Sequence, residues 1–392
     1  MQTTVKNNKR RYSNKRRSSG KKKFQTEKIS IDRLSHIAKP VKEVKYTSDL
    51  TFEDFPFHPD LKRNIAKMGF EQPTEIQEKT IEPISKLQDV IGIASTGTGK
   101  TGAFLMPIIN SLLTEEHSFS TLVMVPTREL ALQVEEEFKK LTRGLNLYIT
   151  SVIGGQNILR DIKNLRRTNH VIVGTPGRLT DLYQRKVLFL ENFSTLILDE
   201  FDRMLDMGFS KDVSYLLEKM INRDQTLLFS ATIDEKQRKL ISGIMKEPVE
   251  IRVSSGKTTA EHINQDVLYE RGEEKLSKLL DLVNGQQFEK VLVFAETKRN
   301  VAKLTKSLKR AGITADEIHG DKSQNYRQNA LRSFKNGRVK VLVATDVAAR
   351  GLDISNVTHV INYEVPQNYE TYIHRIGRTG RAGKGGNAYT FV

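Results

Sequence analysis

The stretch Val90-Ile91-Gly92-Ile93-Ala94-Ser95-Thr96-Gly97-Thr98-Gly99-Lys100-Thr101 decides the fold. A short apolar run gives way to a glycine-rich turn, and the residues beyond Thr101 can continue as a helix, so the order is strand, phosphate loop, helix. Gly97 and Gly99 let the backbone approach a polyphosphate, Ser95, Thr96 and Thr98 complete the turn, and Lys100 neutralises the outer phosphates. The Thr101 hydroxyl can ligate Mg2+, and the helix N-terminus adds its dipole. A nucleoside triphosphate is the predicted ligand. Ala94 occupies the first glycine position of the general pattern, and an ordinary glycine-rich turn is the competing reading.

Such a site needs a carboxylate pair after another buried strand. Ser194-Thr195-Leu196-Ile197-Leu198-Asp199-Glu200-Phe201-Asp202 supplies it. Asp199 is expected in the Mg2+ shell through water, and Glu200 to polarise the water that attacks the γ-phosphate. Acids at a strand end alone serve equally well as helix caps. Alongside Lys100 the catalytic reading is the stronger.

The chain of 392 residues, 38% of them hydrophobic, can bury two or three ordinary cores. No apolar run approaches the roughly eighteen residues of a membrane span, and none follows the basic N-terminus as a secretory signal would. There is no cysteine, which excludes disulfides and thiolate metal sites. The net charge of +16 is concentrated: ten of the 63 Lys and Arg fall in Met1 to Lys23, which holds no acid, leaving 53 basic against 47 acidic residues beyond it. Ser, Asn, Thr and Gly fill most of the rest of that segment, so residues 1–45 are expected to be a disordered basic tail that meets a polyanion, with solubility or targeting as the competing reading. On single-stranded nucleic acid, each phosphate it contacts would add about 0.7 to the log–log salt slope.

Past the tail, β-branched runs alternate with helical stretches, the pattern of parallel α/β sheets. One set of strands includes Asp89 to Ala94, Thr121 to Val125, His170 to Gly174, Thr195 to Asp199 and Thr226 to Ser230. A second includes Lys290 to Ala295, Val339 to Thr345, His359 to Tyr363 and Asn387 to Val392. Between them the polar run around Ser254-Ser255-Gly256-Lys257 reads as a connector. The expected domains are therefore 46–252 and 265–392, with 253–264 as linker. Only the first holds a phosphate loop.

The second half offers His374-Arg375-Ile376-Gly377-Arg378-Thr379-Gly380-Arg381, three arginines spaced by glycines. If two lobes close on one nucleotide, such arginines reach the γ-phosphate. Plain RNA-backbone binding or a solvated basic loop would use the same residues.

From about Phe52 to Val392 the chain resembles the DEAD-box RNA helicases of superfamily 2. The resemblance runs through Gly69-Phe70-Glu71-Gln72-Pro73-Thr74-Glu75-Ile76-Gln77, Pro126-Thr127-Arg128-Glu129-Leu130, Gly154-Gly155, Thr175-Pro176-Gly177-Arg178, Ser230-Ala231-Thr232 and Ala344-Thr345-Asp346-Val347-Ala348-Ala349-Arg350-Gly351-Leu352-Asp353, in the family's order. It implies two tandem RecA-like domains, each a parallel sheet flanked by helices. ATP with Mg2+ is the implied cofactor. Gln77 would bond the adenine edge and Phe52 would pack on its ring, Asp353 would meet the ribose, and Arg378 and Arg381 would face the γ-phosphate. Pro126, Thr127, Arg128, Gly154, Gly155, Thr175, Pro176, Gly177, Arg178, Arg327 and Thr345 would hold RNA, with Ser230, Thr232, Asp202 and His374 coupling the two sites. The implied activity is RNA-dependent ATP hydrolysis that locally opens short duplexes or remodels RNA–protein complexes. The expected partner is single-stranded and short duplex RNA, the expected setting a bacterial cytoplasm, and the expected state a monomer with no membrane contact.

Three departures qualify the resemblance. Phe201 stands where the name-giving motif has Ala, so a ring must find room beside the acids. Ser95 stands where glutamine is common. The chain stops at Val392 on an apparent strand, where family members usually continue, which leaves a less covered face on the second lobe as an expectation. An ATP-gated clamp or scaffold with little strand separation is the rival reading, and a DNA helicase of a related group is a second.

Overall fold

The apolar runs become strands because helices cover them on both faces: β2 (Thr121–Met124), β4 (Val171–Gly174) and β5 (Thr195–Asp199) are buried at every residue. The structure is a computed structural model that describes residues 30, 34–37, 46–95, 97–114, 121–253, 263–349, 354, 357–380 and 385–392. Expectations for Met1 to Lys23, Thr96, Asp353, Arg381 and most of the linker lie outside those residues.

In the first lobe these strands join β1 (Val90–Ile93), β3 (Ile149–Val152), β6 (Gln225–Ser230) and β7 (Val249–Arg252). The order is β3-β4-β2-β5-β6-β1-β7, and every pairing is parallel. Its helices are α1 (Pro59–Lys67), α2 (Glu75–Ser85), α3 (Lys100–Thr114), α4 (Arg128–Leu141), α5 (Ile158–Leu165), α6 (Pro176–Gln184), α7 (Phe201–Asp206), α8 (Ser210–Lys219) and α9 (Glu235–Ser242). Alternation along β5 shows how the sheet divides the core: Ile197 packs on the side of Phe104 and Phe138, while Leu196 and Leu198 pack with Phe193 and Phe201.

The second lobe holds β8 (Ile263–Leu268), β9 (Val291–Phe294), β10 (Ala315–Ile318), β11 (Val341–Ala344), β12 (His359–Asn362) and β13 (Gly386–Phe391). Its order, β10-β11-β9-β12-β13-β8, repeats that of the first lobe strand for strand, save that no strand among the described residues corresponds to β7. Its helices are α10 (Gly272–Asn284), α11 (Lys298–Arg310), α12 (Gln324–Lys335), α13 (Asp346–Ala349) and α14 (Tyr369–Ile376). Parallel sheets of this kind offer ligands the crevice beyond the strands' C-terminal ends. The phosphate loop, the acid pair and Ser230 all follow strands there.

Two boundaries differ from expectation. Ile263 and Asn264 belong to β8, so the linker is shorter than 253–264, and Val253 N–H still bonds Ile93 O at 2.9 Å. Leu34 to Ile37, assigned to the tail, lie against the second lobe, with Leu34 in its core. The strand expected at Asn387 to Val392 is β13, which sits inside the sheet between β12 and β8, and Val392 N–H donates to Leu268 O at 3.0 Å. Among the described residues no helix is long and apolar enough to cross a membrane.

Candidate nucleotide and RNA site

β1 ends at Ile93, and the N–H of the next residue, Ala94, donates to Ser230 O at 3.0 Å, fixing the phosphate loop to the end of β6. The turn then relies on left-handed backbone at Gly97 (φ 88°) and Gly99 (φ 91°). A Cβ on Gly99 would lie 2.7 Å from Gln77 Nε2, so that glycine also permits close packing. Lys100 starts α3, is only 7% exposed, and donates from Nζ to Ala94 O at 2.8 Å. Thr98 Oγ1 donates to Ser95 O at 2.9 Å, closing the turn. Thr101 is half-buried beside Lys100.

Local contacts hold both residues expected at the adenine. Gln77 has its carboxamide on local backbone: Oε1 accepts from Thr74 N–H at 2.9 Å and Nε2 donates to Gly99 O at 3.1 Å. It therefore ties the Q-motif helix α2 to the phosphate loop. The Phe52 ring is buried and tilts against Phe55 with centroids 6.1 Å apart.

The acids follow β5, with β6 between them and the phosphate loop. Asp199 is 2% exposed; burial pushes its carboxyl up to about 6, Lys100 opposes that, and Glu200 and Asp202 add to it. Glu200 sits at φ 52°, a left-handed conformation unusual for a residue with a side chain and typical of functional sites. Arg203, one turn along α7, holds both its oxygens through Nη1 at 3.1 and 2.9 Å. Asp202 Oδ2 accepts from Ala231 N–H at 3.2 Å, Thr232 N–H at 3.2 Å and Thr232 Oγ1 at 3.3 Å, while Ser230 Oγ accepts from Asp202 N–H at 3.2 Å. Asp202, Ser230 and Thr232 thus form one network. Phe201 is fully buried in the core and disturbs none of these bonds.

Burial strips water from the Asp199 carboxylate, so a cation there would restore the lost solvation, and Thr101 adds a hydroxyl. One carboxylate and one hydroxyl fit Mg2+, which usually takes one or two carboxylates plus phosphate and water.

The residues expected on RNA separate into two sets. Thr127 caps α4, its hydroxyl accepting from Leu130 N–H at 3.3 Å, and so aims Arg128 over the next loop. Gly155 (φ 74°) lies under the Arg128 guanidinium, where a Cβ would collide with it, and Gly154 is alongside. Burial, with Arg327 and Arg178 nearby and Glu129 opposing, holds Arg128 below the ordinary arginine range. Pro126 is buried before the cap, Thr175 precedes α6 as its N-cap residue without a side-chain capping bond, and Gly177 stands exposed with open space where a Cβ would lie. Arg178, in contrast, is turned inward: Nε donates to Ile153 O at 3.2 Å, Nη2 bonds Gln156 O, and Asp161 lies 3.5 Å away. It holds the Gly154-Gly155 loop. Burial pushes the Asp161 carboxyl up, against the pull of Arg178.

In the second lobe Thr345 follows β11 and its N–H donates to Ile318 O at 3.3 Å. Arg327 on α12 reaches across to the first lobe, with Nη2 3.0 Å from Glu129 Oε1 and 3.2 Å from Ala348 O. Of the arginine cluster, Arg375 is structural: Nε and Nη2 clasp Asp346 at 2.6 Å each, and Nη1 donates to Glu364 O at 3.0 Å. Arg378 follows α14 and is largely buried, and His374 is half-buried in that helix's last turn. Sequence reasoning missed Arg203, Glu129 and Asp346; only the Glu200 to Arg203 spacing on a helix hinted at one of them.

Residues 74–241 match the DEAD/DEAH box helicase family and residues 274–383 the helicase conserved C-terminal domain. The chain is 46% identical over 343 residues to the DEAD-box ATP-dependent RNA helicase CshA of Bacillus licheniformis, covering 88% of this chain and 70% of that one. It is equally similar to CshA of Bacillus subtilis, with 88% and 69% covered. Among solved structures, S. cerevisiae Dbp5 bound to RNA and ADP BeF3 aligns at a TM-score of 0.76 and 31% identity, over 87% of this chain and 89% of that one. The DEAD-box helicase Mss116 bound to ssRNA and UDP-BeF aligns at 0.77 and 34%, over 88% and 76%. The chain belongs to the DEAD-box RNA helicase family.

Proposed function

We infer that this protein is an ATP-dependent RNA helicase: an RNA-stimulated ATPase that grips single-stranded RNA by its backbone and locally opens short duplexes or remodels RNA–protein complexes. The observation that carries the coupling is the network on Asp202, because it joins the acid motif after β5 to Ser230 and Thr232 after β6. A shift of either strand end therefore reaches the other.

Lys100 exchanges its Ala94 carbonyl for the outer phosphates of ATP, and Gly97 to Thr101 wrap them with backbone N–H groups. Mg2+, taken by Asp199 through water and by Thr101, would neutralise charge on those phosphates. Glu200, oriented by Arg203, orients the attacking water. Arg378 and Arg381 face the γ-phosphate from the second lobe, with Asp353 on the ribose. Arg128, Thr127, Gly155 and Gly177 hold the RNA backbone from one side and Thr345 from the other. Arg327 acts as a bridge between lobes through Glu129 and Arg178 as a brace for the glycine loop.

Because ATP and RNA each favour the same closed arrangement, each tightens the other's binding by one factor. The motif is a D-E-F-D variant, and Phe201 supports coupling since its ring is buried and leaves Asp202 fully bonded. The basic tail adds sequence-tolerant RNA contacts, and the protein works as a monomer in a bacterial cytoplasm. Steady-state ATP hydrolysis with Mg2+, with and without single-stranded RNA, tests the reading. Stimulation by RNA but not by DNA of the same sequence, lost in Lys100→Ala, is the expected result. Equal stimulation by DNA, or none by RNA, would refute it.

A further inference from the structure

In the first lobe β7 flanks β1. In the second lobe the corresponding flank of β8 is taken by residues that precede the first lobe in the chain. His36 N–H donates to Gln265 O at 2.9 Å and Gln265 N–H donates to His36 O at 2.7 Å, an antiparallel bridge. Leu34 is 0% exposed and packs in the cluster that holds Ile263, Tyr372 and Ile376. The Tyr372 hydroxyl lies 3.2 Å from Leu34 O and 2.8 Å from Gln265 Oε1, one proton serving two acceptors.

We propose that Leu34 to Ile37 form a strap, a second tie between the lobes that also positions α14. Residues 38–45 separate Ile37 from Tyr46, where the first lobe begins, so the connection spans roughly 30 Å at full extension. A docked strap excludes lobe separations beyond that reach and raises the concentration of one lobe beside the other. Full burial of Leu34 and the paired backbone groups favour docking over the entropy of ordering a few residues. The bridge also covers a strand edge that would otherwise be open to foreign strands. Tyr372 lies two residues before His374 and six before Arg378, so the strap bears on the helix that delivers the γ-phosphate arginine. It also roots the basic tail on the second lobe, although the tail adjoins the first in sequence.

The test is distance measurement on the full chain, which has no native cysteine to interfere. A donor–acceptor pair is placed at the exposed positions Lys67→Cys and Lys306→Cys, one on each lobe. Without ATP or RNA, Leu34→Asp is expected to shift the interlobe distances to longer values and Leu34→Met to leave them unchanged. In the ATPase assay, which rests on the proposed function, Leu34→Asp should raise half-saturating RNA several-fold and lower kcat by a smaller factor, since α14 loses a support. Tyr372→Phe, which keeps the ring, should move it the same way by less. Deletion of residues 1–33 separates strap from tail: it should leave the distances unchanged. The strap is overturned if Leu34→Asp, melting like the parent, leaves distances unchanged, or if deleting 1–33 reproduces its effect. Energy transfer between singly labelled chains would assign the docking to a second copy and overturn a tie within one chain. The distance arm stands even if the ATPase reading fails.

Discussion

The turn from β1 to α3 and the turn from β8 to α10 occupy the same place in two sheets of the same strand order, yet one can bind phosphate and the other cannot. The first has Gly97 and Gly99 in left-handed backbone with Lys100 behind them. The second has Tyr269, Glu270 and Arg271, and the first turn of α10 holds Glu273 and Glu274, acids that satisfy its dipole and repel an anion. The next pair of turns shares more. Thr127 caps α4 and Thr297 caps α11, each hydroxyl accepting from a backbone N–H, and each cap is followed by a cation, Arg128 and Lys298. The difference lies in added acids: beside the second cap Glu364 accepts from Glu296 N–H at 3.0 Å and Asn300 Nδ2 at 2.8 Å, and Lys298 pairs with Asp321 at 2.8 Å, whereas Arg128 lies over Gly155. Duplicated backbone thus carries different charge at its strand ends, and of these turns only the first lobe's combines left-handed glycines with a lysine.

The sharpest way to break this division of labour is to remove each lobe's contribution in turn. Arg378→Ala should lower kcat by about 10³ to 10⁵ with a smaller loss of ATP affinity, and Glu200→Gln should keep ATP and RNA binding while lowering turnover by about 10² to 10⁴. Single-turnover hydrolysis beside equilibrium binding distinguishes these; retained turnover in Glu200→Gln would end its water-orienting role.

Next in size is Phe201→Ala, which restores the family's residue but empties a filled core position. Urea unfolding should show the first lobe destabilised by about 3 kcal/mol or more. The second lobe's transition should stay in place.

One buried group in each lobe should respond to acid in the opposite sense. Asp199 titrates at about 6 when folded against an ordinary 3.8, so its contribution is fully favourable below 3.8 and is lost as pH rises through 6. Burial depresses His359, stacked on Phe288, from 6.5 to about 4, so its contribution is present above 6.5 and lost as pH falls through 4. From pH 7 to 5 Asp199 should add about 1 kcal/mol to the first lobe and His359 remove about 2 kcal/mol from the second, while burial depresses His170 and so opposes Asp199 within the first lobe. Hydrogen exchange resolved to each lobe, compared with Asp199→Asn and His359→Phe, reads each contribution, and a pH response that neither substitution changes would contradict the assignment.

The smallest effect belongs to the tail. Deleting Met1 to Lys23 should flatten the salt dependence of RNA affinity by about 0.7 per lost phosphate contact and leave maximal ATPase nearly unchanged.

The strands missed in sequence are instructive because all four, β3, β7, β8 and β10, are sheet edges. Interior strands such as Val-Leu-Val-Phe at β9 are covered on both faces and must be apolar throughout. An edge strand such as Ala-Asp-Glu-Ile at β10 keeps polar residues and loses the signal. The site divides the same way. The phosphate loop, the acid motif and the Ser230 to Thr232 segment were legible because each is a contiguous run whose chemistry demands particular residues at fixed spacing.

What the amino-acid order alone determined, therefore, was the duplicated α/β plan, the nucleotide motifs and the family. The tertiary structure decided which arginine does what. Arg178 braces a loop, Arg327 bridges lobes, Arg375 clasps Asp346, and Arg128 lies over Gly155; Leu34, distant in sequence, completes the second lobe. A guanidinium is the same donor everywhere, and only the acceptors folding brings within about 3 Å assign its role.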